Sequence, residues 1–209
     1  MNVVSLFDQS AVLLEPWLAD GFDCWAVDIG HPQGHTVRQD GMNLIGHDLS
    51  TPWLPPFDRD DIAFVAAFPP CNHLAVSGAR WFKGKGLRAL AKSVELFATA
   101  AEFCEWSDAP YFIENPVSTM STYWRKPDHT LHPWHYAGRH SDDNYTKTTC
   151  LWTGGEFIMP EPEPLDSPGL FNGQPPDDRI HKMPPSAQRA ALRSQTPRGV
   201  ALALHASNR

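Results

Sequence analysis

One cysteine stands in an unusual setting for a thiol. Cys71 follows two prolines and an apolar run in the stretch AAFPPCNHLAVSG. Each proline fixes its own φ and restrains the residue before it, so the chain direction is set just ahead of the sulfur. A thiol acts as a nucleophile only as thiolate, which a turn presenting N–H groups, a helix N-terminus or a cation such as Arg80 would favour. The pattern predicts a rigidly held nucleophile, and a buried inert cysteine is the plain alternative.

Two acidic residues close apolar runs elsewhere in the chain. Glu114 ends the run in APYFIENP, and Asp28 ends the run in FDCWAVDIG. A partly desolvated carboxyl at a strand end can donate a proton at neutral pH, which makes Glu114 a candidate general acid. An acid that closes the second strand suits the two hydroxyls of a ribose. Taken alone, each is more often a turn former or a solvated strand end, and Glu114 becomes specific only in combination with Cys71.

The elements that carry these residues alternate between strands and helices. Strands are predicted at NVVSLF, FDCWAVDIG, DIAFVAAF, APYFIENP and TKTTCLWTGG, with a weaker strand or turn at NLIGHDLS. Helices are predicted at AVLLEPWLADG, which stops at Gly21, and at ALAKSVELFATAAEFCEW. This alternation predicts an α/β fold with a mostly parallel sheet and helices on both faces. Since ligands bind beyond the carboxyl ends of such strands, Asp28, Cys71 and Glu114 should converge on one crevice.

Two stretches lack this alternation. Residues 118–145 are rich in His, Trp and Tyr, and residues 155–185 are rich in proline, so both are predicted to be loop insertions. The end of the chain is predicted to form two short helices, with Ser186 and Thr196 as their N-caps. At 209 residues, the chain is most simply one domain that spans 1–209.

The charge is unevenly distributed. The formal charge of −7 argues mildly against a nucleic-acid partner, because phosphate contacts supply most non-specific affinity. The stretch 80–92, however, holds five cations and no acid, interleaved with Trp81 and Phe82, and 179–209 holds six more cations and no acid. Such runs indicate either a binding surface or simply a solvated face.

Several kinds of site and location are disfavoured. The four cysteines lie far apart without a CxxC pair, which indicates neither a zinc site nor a disulfide framework. A metal site is not predicted from the histidines either, because the candidates lie in a proline-broken loop: His129, His132, His135 and His140. With no basic N-terminal region and no apolar run of about eighteen residues, a soluble, cytoplasmic monomer without a membrane partner is expected.

Several stretches, taken in order, resemble the cytosine carbon-5 DNA methyltransferase family, especially its small phage-type members. They are VVSLFDQSAVLLEPWLADGFDCWAVDIGH, FPPCNHLAVSG, FIENP and RSQTPRGVALAL, and together they span nearly the whole chain. The resemblance implies a Rossmann-like S-adenosylmethionine-dependent methyltransferase fold, with DNA as partner, in the host cytoplasm if the protein is phage-encoded. In this family a cysteine thiolate adds to carbon 6 of a flipped-out cytosine while a glutamate protonates or holds nitrogen 3. Carbon 5 then takes the methyl group.

Carried onto this sequence, the resemblance implies that Cys71 is the nucleophile, Glu114 the ring acid and Asp28 the ribose ligand. It implies that the cofactor is bound by residues at strand ends: Phe7, Asp8, Gln9, Ser10, Asp28, Ile29, Asp48, Leu49 and Pro69. It also implies that DNA or its target base is contacted by Asn72, Ser77, Arg80, Lys83, Lys85, Asn115, Lys147 and Thr148. The insertions at 118–145 and 155–185 would then replace a full target-recognition domain.

The sequence departs from the family pattern at the first strand turn and in the shorter motifs. FDQSA stands where the family usually has a glycine-rich FxGxG, ENP replaces ENV, and PCN replaces PCQ. The altered turn leaves open a carboxylated derivative of S-adenosylmethionine as donor. Two other functions also stay open: a pyrimidine nucleotide or RNA carbon-5 modifying enzyme, and a catalytically inactive nucleic-acid-binding relative.

Overall fold

The computed structural model describes residues 1–165, 175–182 and 193–209. In this part of the chain, seven strands form one sheet in the order β3-β2-β1-β4-β5-β7-β6. The strands are β1 (Asn2–Leu6), β2 (Asp23–Val37), β3 (Asn43–Gly46), β4 (Ile62–Ala67), β5 (Tyr111–Asn115), β6 (His129–Leu131) and β7 (Thr149–Gly154). Strands β1 to β5 pair in parallel, whereas β7 is antiparallel to both β5 and β6. The predicted α/β class and mostly parallel sheet are confirmed.

Helices cover both faces of the sheet. They are α1 (Glu15–Ala19), α2 (Phe82–Lys85), α3 (Leu87–Ser107), α4 (Met120–Tyr123), α5 (Arg179–Lys182) and α6 (Arg198–Asn208). Successive strand residues point to opposite faces, so Val3 packs with α1 and α6 while Val4 packs with α3. Helix α3 meets the sheet through Phe97, Ala101 and Cys104, which the helical period places on one side. None of the helices in the described ranges is long and apolar enough to cross a membrane.

The strand order reverses at β1. Strands β2 and β3 extend the sheet to one side of β1, and β4 and β5 extend it to the other. In open α/β sheets, ligands bind in the crevice outside the carboxyl ends of the strands at such a reversal. The chain segments that leave β1, β4 and β5 here carry Asp8, Cys71 and Glu114. The topology therefore brings the candidate residues of the sequence to one edge of the sheet.

The second strand is longer than predicted. Instead of ending at Asp28, β2 continues to Val37. Trp25 to Asp28 pair with β3 in rising order, whereas His35 to Val37 pair with it in falling order, so the end of β2 turns back along β3. A Cβ at Gly46 would lie 2.1 Å from the Pro32 carbonyl oxygen, so the close crossing requires glycine. The extension is mostly exposed and polar, which hides it from a search for buried strands.

Two predictions near the C-terminal half were wrong. The stretch 118–145 is not all loop, because it contains α4 and β6. Thr196 is not an N-cap, since α6 begins at Arg198 with Pro197 at the cap position. Ser186 and most of the helix predicted after it lie outside the described residues, as does part of the insertion 155–185.

The turn after β1 is built around a buried carboxylate. Phe7 and Ala11 adopt left-handed backbone conformations, with φ of 58° and 54°. Between them, Asp8 Oδ2 accepts a hydrogen bond from Ser5 Oγ at 2.8 Å, and Oδ1 accepts from Ser10 N at 3.1 Å and Ala11 N at 2.8 Å. The Asp8 carboxylate therefore holds its own turn, which corrects its predicted role in binding a cofactor.

Replacing Asp8 by alanine should lower the free energy of unfolding by about 3 kcal/mol, because several buried donors lose a charged acceptor. Chemical denaturation provides the measurement. Asp28→Ala is the matched control, since its carboxylate accepts a bond from Gly30 N near solvent, and a loss below about 1 kcal/mol is expected. Equal losses for the two variants would contradict the structural role of Asp8.

Candidate functional site

The loop that carries Cys71 is clamped from the neighbouring strand. Phe68 N donates to Leu6 O at 3.0 Å, which extends the pairing of β1 and β4 by one residue. Pro69 is buried, and its carbonyl accepts a hydrogen bond from Asn115 Nδ2 at 2.9 Å. Since proline lacks an N–H, this carbonyl bond is the backbone contact that ties the Pro-Pro segment to β5. Asn115 is fully buried by this role, which corrects its predicted contact with DNA.

A second set of bonds holds the chain after the thiol. Leu74 N and Ala75 N both donate to Cys71 O, at 3.0 and 2.9 Å, so the backbone turns sharply at the cysteine. Val76 N donates to Val117 O at 2.9 Å, and Thr119 N donates to Leu74 O at 3.0 Å. The segments that follow β4 and β5 therefore brace each other on both sides of Cys71.

The antiparallel strand β7 places Lys147 beside the Glu114 carboxylate. Glu114 and Asn115 at the end of β5 pair with Leu151 and Cys150 of β7. Because β7 runs in the opposite direction, the residues just before it lie at the carboxyl end of β5. Lys147 Nζ is accordingly 3.7 Å from Glu114 Oε1, and each side chain is only 18% exposed. The predicted base-contact residue Lys147 thus lies beside the predicted acid.

The charges of this pair act on the Cys71 thiol. Burial raises the pKa of Cys71, and the charge of Glu114 raises it further, while Arg193 and Lys147 lower it. The expectation that the surroundings lower the thiol pKa overall was therefore wrong, because desolvation of the thiolate outweighs the cations. Without substrate, the Cys71 sulfur is protonated at neutral pH. The cation named beforehand, Arg80, lies in the 3-10 helix Val76–Trp81, and its side chain is outside the described part.

A cleft opens next to the Glu114–Lys147 pair. It is narrow, with an accessible volume of about 20 Å³, which is room for one or two water molecules. Phe68, Phe112 and Leu151 form apolar walls, while Glu114, Lys147 and Thr149 are polar, and the segment 194–197 closes one side. The Glu114–Lys147 pair is thus part of the cleft wall, whereas Cys71 lies outside the lining. Phe68, Arg193 and Gln195 were not predicted as site residues from the sequence. The polar run RSQTP before an apolar helix could have indicated Arg193 and Gln195.

Five of the residues predicted to contact DNA are solvent-exposed. This holds for Asn72, Ser77, Lys83, Lys85 and Thr148. The basic segment also turns back on the thiol loop, since Lys85 Nζ donates to Asn72 O at 2.6 Å. The Lys85 ammonium group of α2 therefore lies close to the residue that follows Cys71.

The predicted cofactor residues divide into an exposed set and a buried set. Gln9, Ile29 and Asp48 are exposed, and Phe7, Ser10 and Asp28 are half-buried. The turns after β1 and β2 touch, because His31 Nε2 lies 3.2 Å from Asp8 O and the Gln9 side chain packs over Gly30. Leu49 and Pro69 are buried, and Leu49 belongs to the apolar cluster against α3. The Leu49 side chain thus serves the core, which corrects its predicted contact with a cofactor.

In the histidine-rich loop, two imidazole rings lie close together, but they are not part of a full set of metal ligands among the described residues. The rings of His132 and His135 lie 5.5 Å apart, and burial lowers the pKa of His135. Across the described ranges, no group of three or more His, Cys, Asp or Glu side chains is placed to hold a metal ion.

The chain matches no protein-family model and no curated protein sequence.

Removing the charge of Glu114 should make Cys71 more reactive. In Glu114→Gln the pKa of Cys71 falls, so the rate of alkylation by iodoacetamide at pH 7.5 should rise about threefold or more. Lys147→Met should slow alkylation, because the cation that lowers the thiol pKa is lost.

Mass-spectrometric peptide mapping assigns the modified residue. Cys24, Cys104 and Cys150 are buried and serve as internal controls that should stay unmodified in the folded protein. An unchanged Cys71 rate in both variants would show that the three side chains do not interact.

Proposed function

We propose that the protein is a cytosine carbon-5 DNA methyltransferase that acts through a covalent bond between Cys71 and its target base. The observation that carries the proposal is the meeting of thiol and carboxylate at one sheet edge. Glu114 is the strongest charged influence on the Cys71 thiol, and Lys147 lies 3.7 Å from the same carboxylate. The Asn115 bond to Pro69 O joins the strand that carries Glu114 to the segment that carries Cys71.

The sheet supports the same proposal. An antiparallel β7 between β5 and β6, beside a parallel array that reverses at β1, is typical of the methyltransferase fold that the resemblance implies. In such sheets ligands bind beyond the carboxyl ends of the strands on either side of the reversal, which leaves room for a donor near β1 and β2 and an acceptor near β4 and β5. The positions of Asp28 and Cys71 fit this division.

The chemistry begins at the thiol. The Cys71 proton passes to the Glu114 carboxylate, and Glu114 delivers it to nitrogen 3 as the sulfur bonds to carbon 6 of the cytosine ring. The proton lost by sulfur balances the proton gained by the ring, so the adduct forms without net uptake. Carbon 5 is then an enamine carbon that attacks the donor methyl group. The carbon 5 proton is then lost to solvent, the nitrogen 3 proton returns to Glu114, and release of the Cys71 sulfur restores the aromatic ring.

Lys147 has a separate task in this scheme. A carboxylate beside a thiolate would repel it, and the ammonium group 3.7 Å from Glu114 offsets that repulsion. The Lys147 side chain also lines the cleft, where it can donate to a carbonyl on the same edge of the pyrimidine. The cation therefore both stabilises the charged pair and orients the ring.

The residues at the other end of the crevice fit S-adenosylmethionine in part. The half-buried carboxylate of Asp28, where the parallel part of β2 ends, suits a ribose diol, and exposed Asp48 follows β3 where an adenine would lie. When bound, S-adenosylmethionine supplies an electrophilic methyl group. Gln9 and Ser10, rather than the inward-turned Asp8, are the polar side chains of the first turn that can face its amino-acid portion. A carboxylated donor fits the same positions.

A free pyrimidine nucleotide is the second candidate substrate. The small cleft favours it, because one cation, Lys147, lines the cleft in place of a long basic groove. The thiol addition would be the same, and only the source of the ring differs.

Incubation of DNA with the protein and S-adenosylmethionine should yield 5-methylcytosine, as measured by mass spectrometry of the digested nucleosides. Cys71→Ala should abolish the product, whereas Cys150→Ala, which changes a buried thiol on β7, should retain it. Glu114→Gln should slow single-turnover transfer about 100-fold or more, because the ring loses its acid.

A modified cytosine that is not 5-methylcytosine would point to the altered donor. Product from deoxycytidine nucleotides but not from DNA would favour the second candidate. Full activity of Cys71→Ala would refute the covalent mechanism for either substrate.

A further inference from the structure

A surface beside the thiol combines exposed aromatic rings with cations. It consists of residues 76–88 and 117–126, and is called the stacking face below. Trp81 and Tyr123 are each 60% exposed on it, although large aromatic rings are normally buried in a folded core. Leu87 is also exposed. An exposed set of this kind, at the edge of a candidate site, indicates a surface that is covered by a partner.

The two segments form one surface because they are bonded to each other. Val76 N donates to Val117 O, and an isolated bridge pairs Ala75 with Ser118. On the second segment, the guanidinium of Arg125 lies 4.5 Å from the centre of the Trp124 ring. Trp81 and Tyr123 therefore lie on two segments that are bonded to each other. The bonded residues Ala75 and Val76 are only a few residues after Cys71 in the sequence.

The charge of this surface is opposite to that of the whole chain. Residues 71–92 carry five cations and no acid, and residues 115–127 carry two cations and no acid, in a chain of net charge −7. Positive charge on two segments that contact each other complements a polyanion that crosses them, although Arg125 also pairs with Asp128. The combination of aromatic rings with a short basic track is the pattern by which proteins bind single strands.

We propose that the stacking face binds an unpaired strand of DNA that leads its target base to Cys71. The bases on one side of the target stack on Trp81 and Tyr123, and the phosphates lie along Lys83, Lys85 and Arg88. In a duplex the base faces are covered by their neighbours and cannot reach these rings, whereas an unpaired strand presents them without a cost of unpairing. This inference rests on the proposed function only in assigning the target base to Cys71.

Fluorescence anisotropy tests the strand preference directly. The probe is a labelled oligodeoxynucleotide of about twelve nucleotides with one cytosine, used alone, annealed to its complement, and as the RNA counterpart. The single DNA strand should bind at least about tenfold more tightly than the duplex, with affinity that falls as salt rises. Equal or tighter binding of the duplex, or tighter binding of the RNA, would overturn the proposal.

Three variants separate stacking from general charge. Trp81→Ala and Tyr123→Ala should each weaken binding of the single strand about tenfold, because each removes a base-stacking ring. Trp106→Ala is the matched control, since Trp106 is 43% exposed near the far end of α3, where it contacts Phe103, and binding should not change. Thermal unfolding of each variant checks that the fold is kept. Losses in the first two variants no larger than in the control would overturn the proposal.

The outcomes distinguish this inference from the proposed function. Tight binding of the single strand that depends on Trp81 and Tyr123, without any methyl transfer, would support the stacking face and refute the methyltransferase. Methyl transfer at equal rates to duplex and single strand, with no loss in Trp81→Ala or Tyr123→Ala, would support the methyltransferase and refute the stacking face.

Discussion

One hydrogen bond sets the geometry on which the candidate site depends. The Asn115 amide donates to the Pro69 carbonyl at 2.9 Å, inside the protein, and so joins the end of β5 to the segment that leads into Cys71. Glu114 and Asn115 are consecutive on β5, so their side chains point to opposite faces. Asn115 therefore turns inward to hold the thiol loop, while Glu114 turns towards the cleft. A two-residue sequence supplies both the anchor and the acid.

The segment that carries the Cys71 thiol is held in place, and the pKa of the thiol is raised. Desolvation and the Glu114 carboxylate raise its pKa, and the cations Arg193 and Lys147 only partly counteract them. Such a sulfur resists solution electrophiles at neutral pH and reacts when a ring accepts a proton as the bond forms. The arrangement ties reactivity to the presence of substrate. The same arrangement accounts for the placement of Glu114 and Lys147 side by side in the wall of the cleft.

The strongly apolar elements could be predicted from the sequence, and the short or polar ones could not. Strands β1, β4 and β5 are continuous buried runs, and α3 repeats its apolar residues with the helical period. β6 has three residues and the end of β2 is exposed, so neither leaves a periodic pattern. Residue order also does not reveal side-chain direction, so the burial of Asp8 in its own turn and of Leu49 in the core could not be predicted. Arg193 lies too far along the chain from Cys71 for spacing to indicate their proximity.

The central claim is that the Cys71 sulfur bonds to carbon 6 of an extruded cytosine, and a trapped adduct tests it most directly. An oligonucleotide that carries 5-fluorocytosine cannot lose a proton from carbon 5 after transfer, so the covalent intermediate should accumulate. With S-adenosylmethionine present, intact mass spectrometry should show the protein joined to one oligonucleotide and one methyl group, with the link mapped to Cys71. Absence of any adduct, or an adduct that persists in Cys71→Ser, would contradict the account.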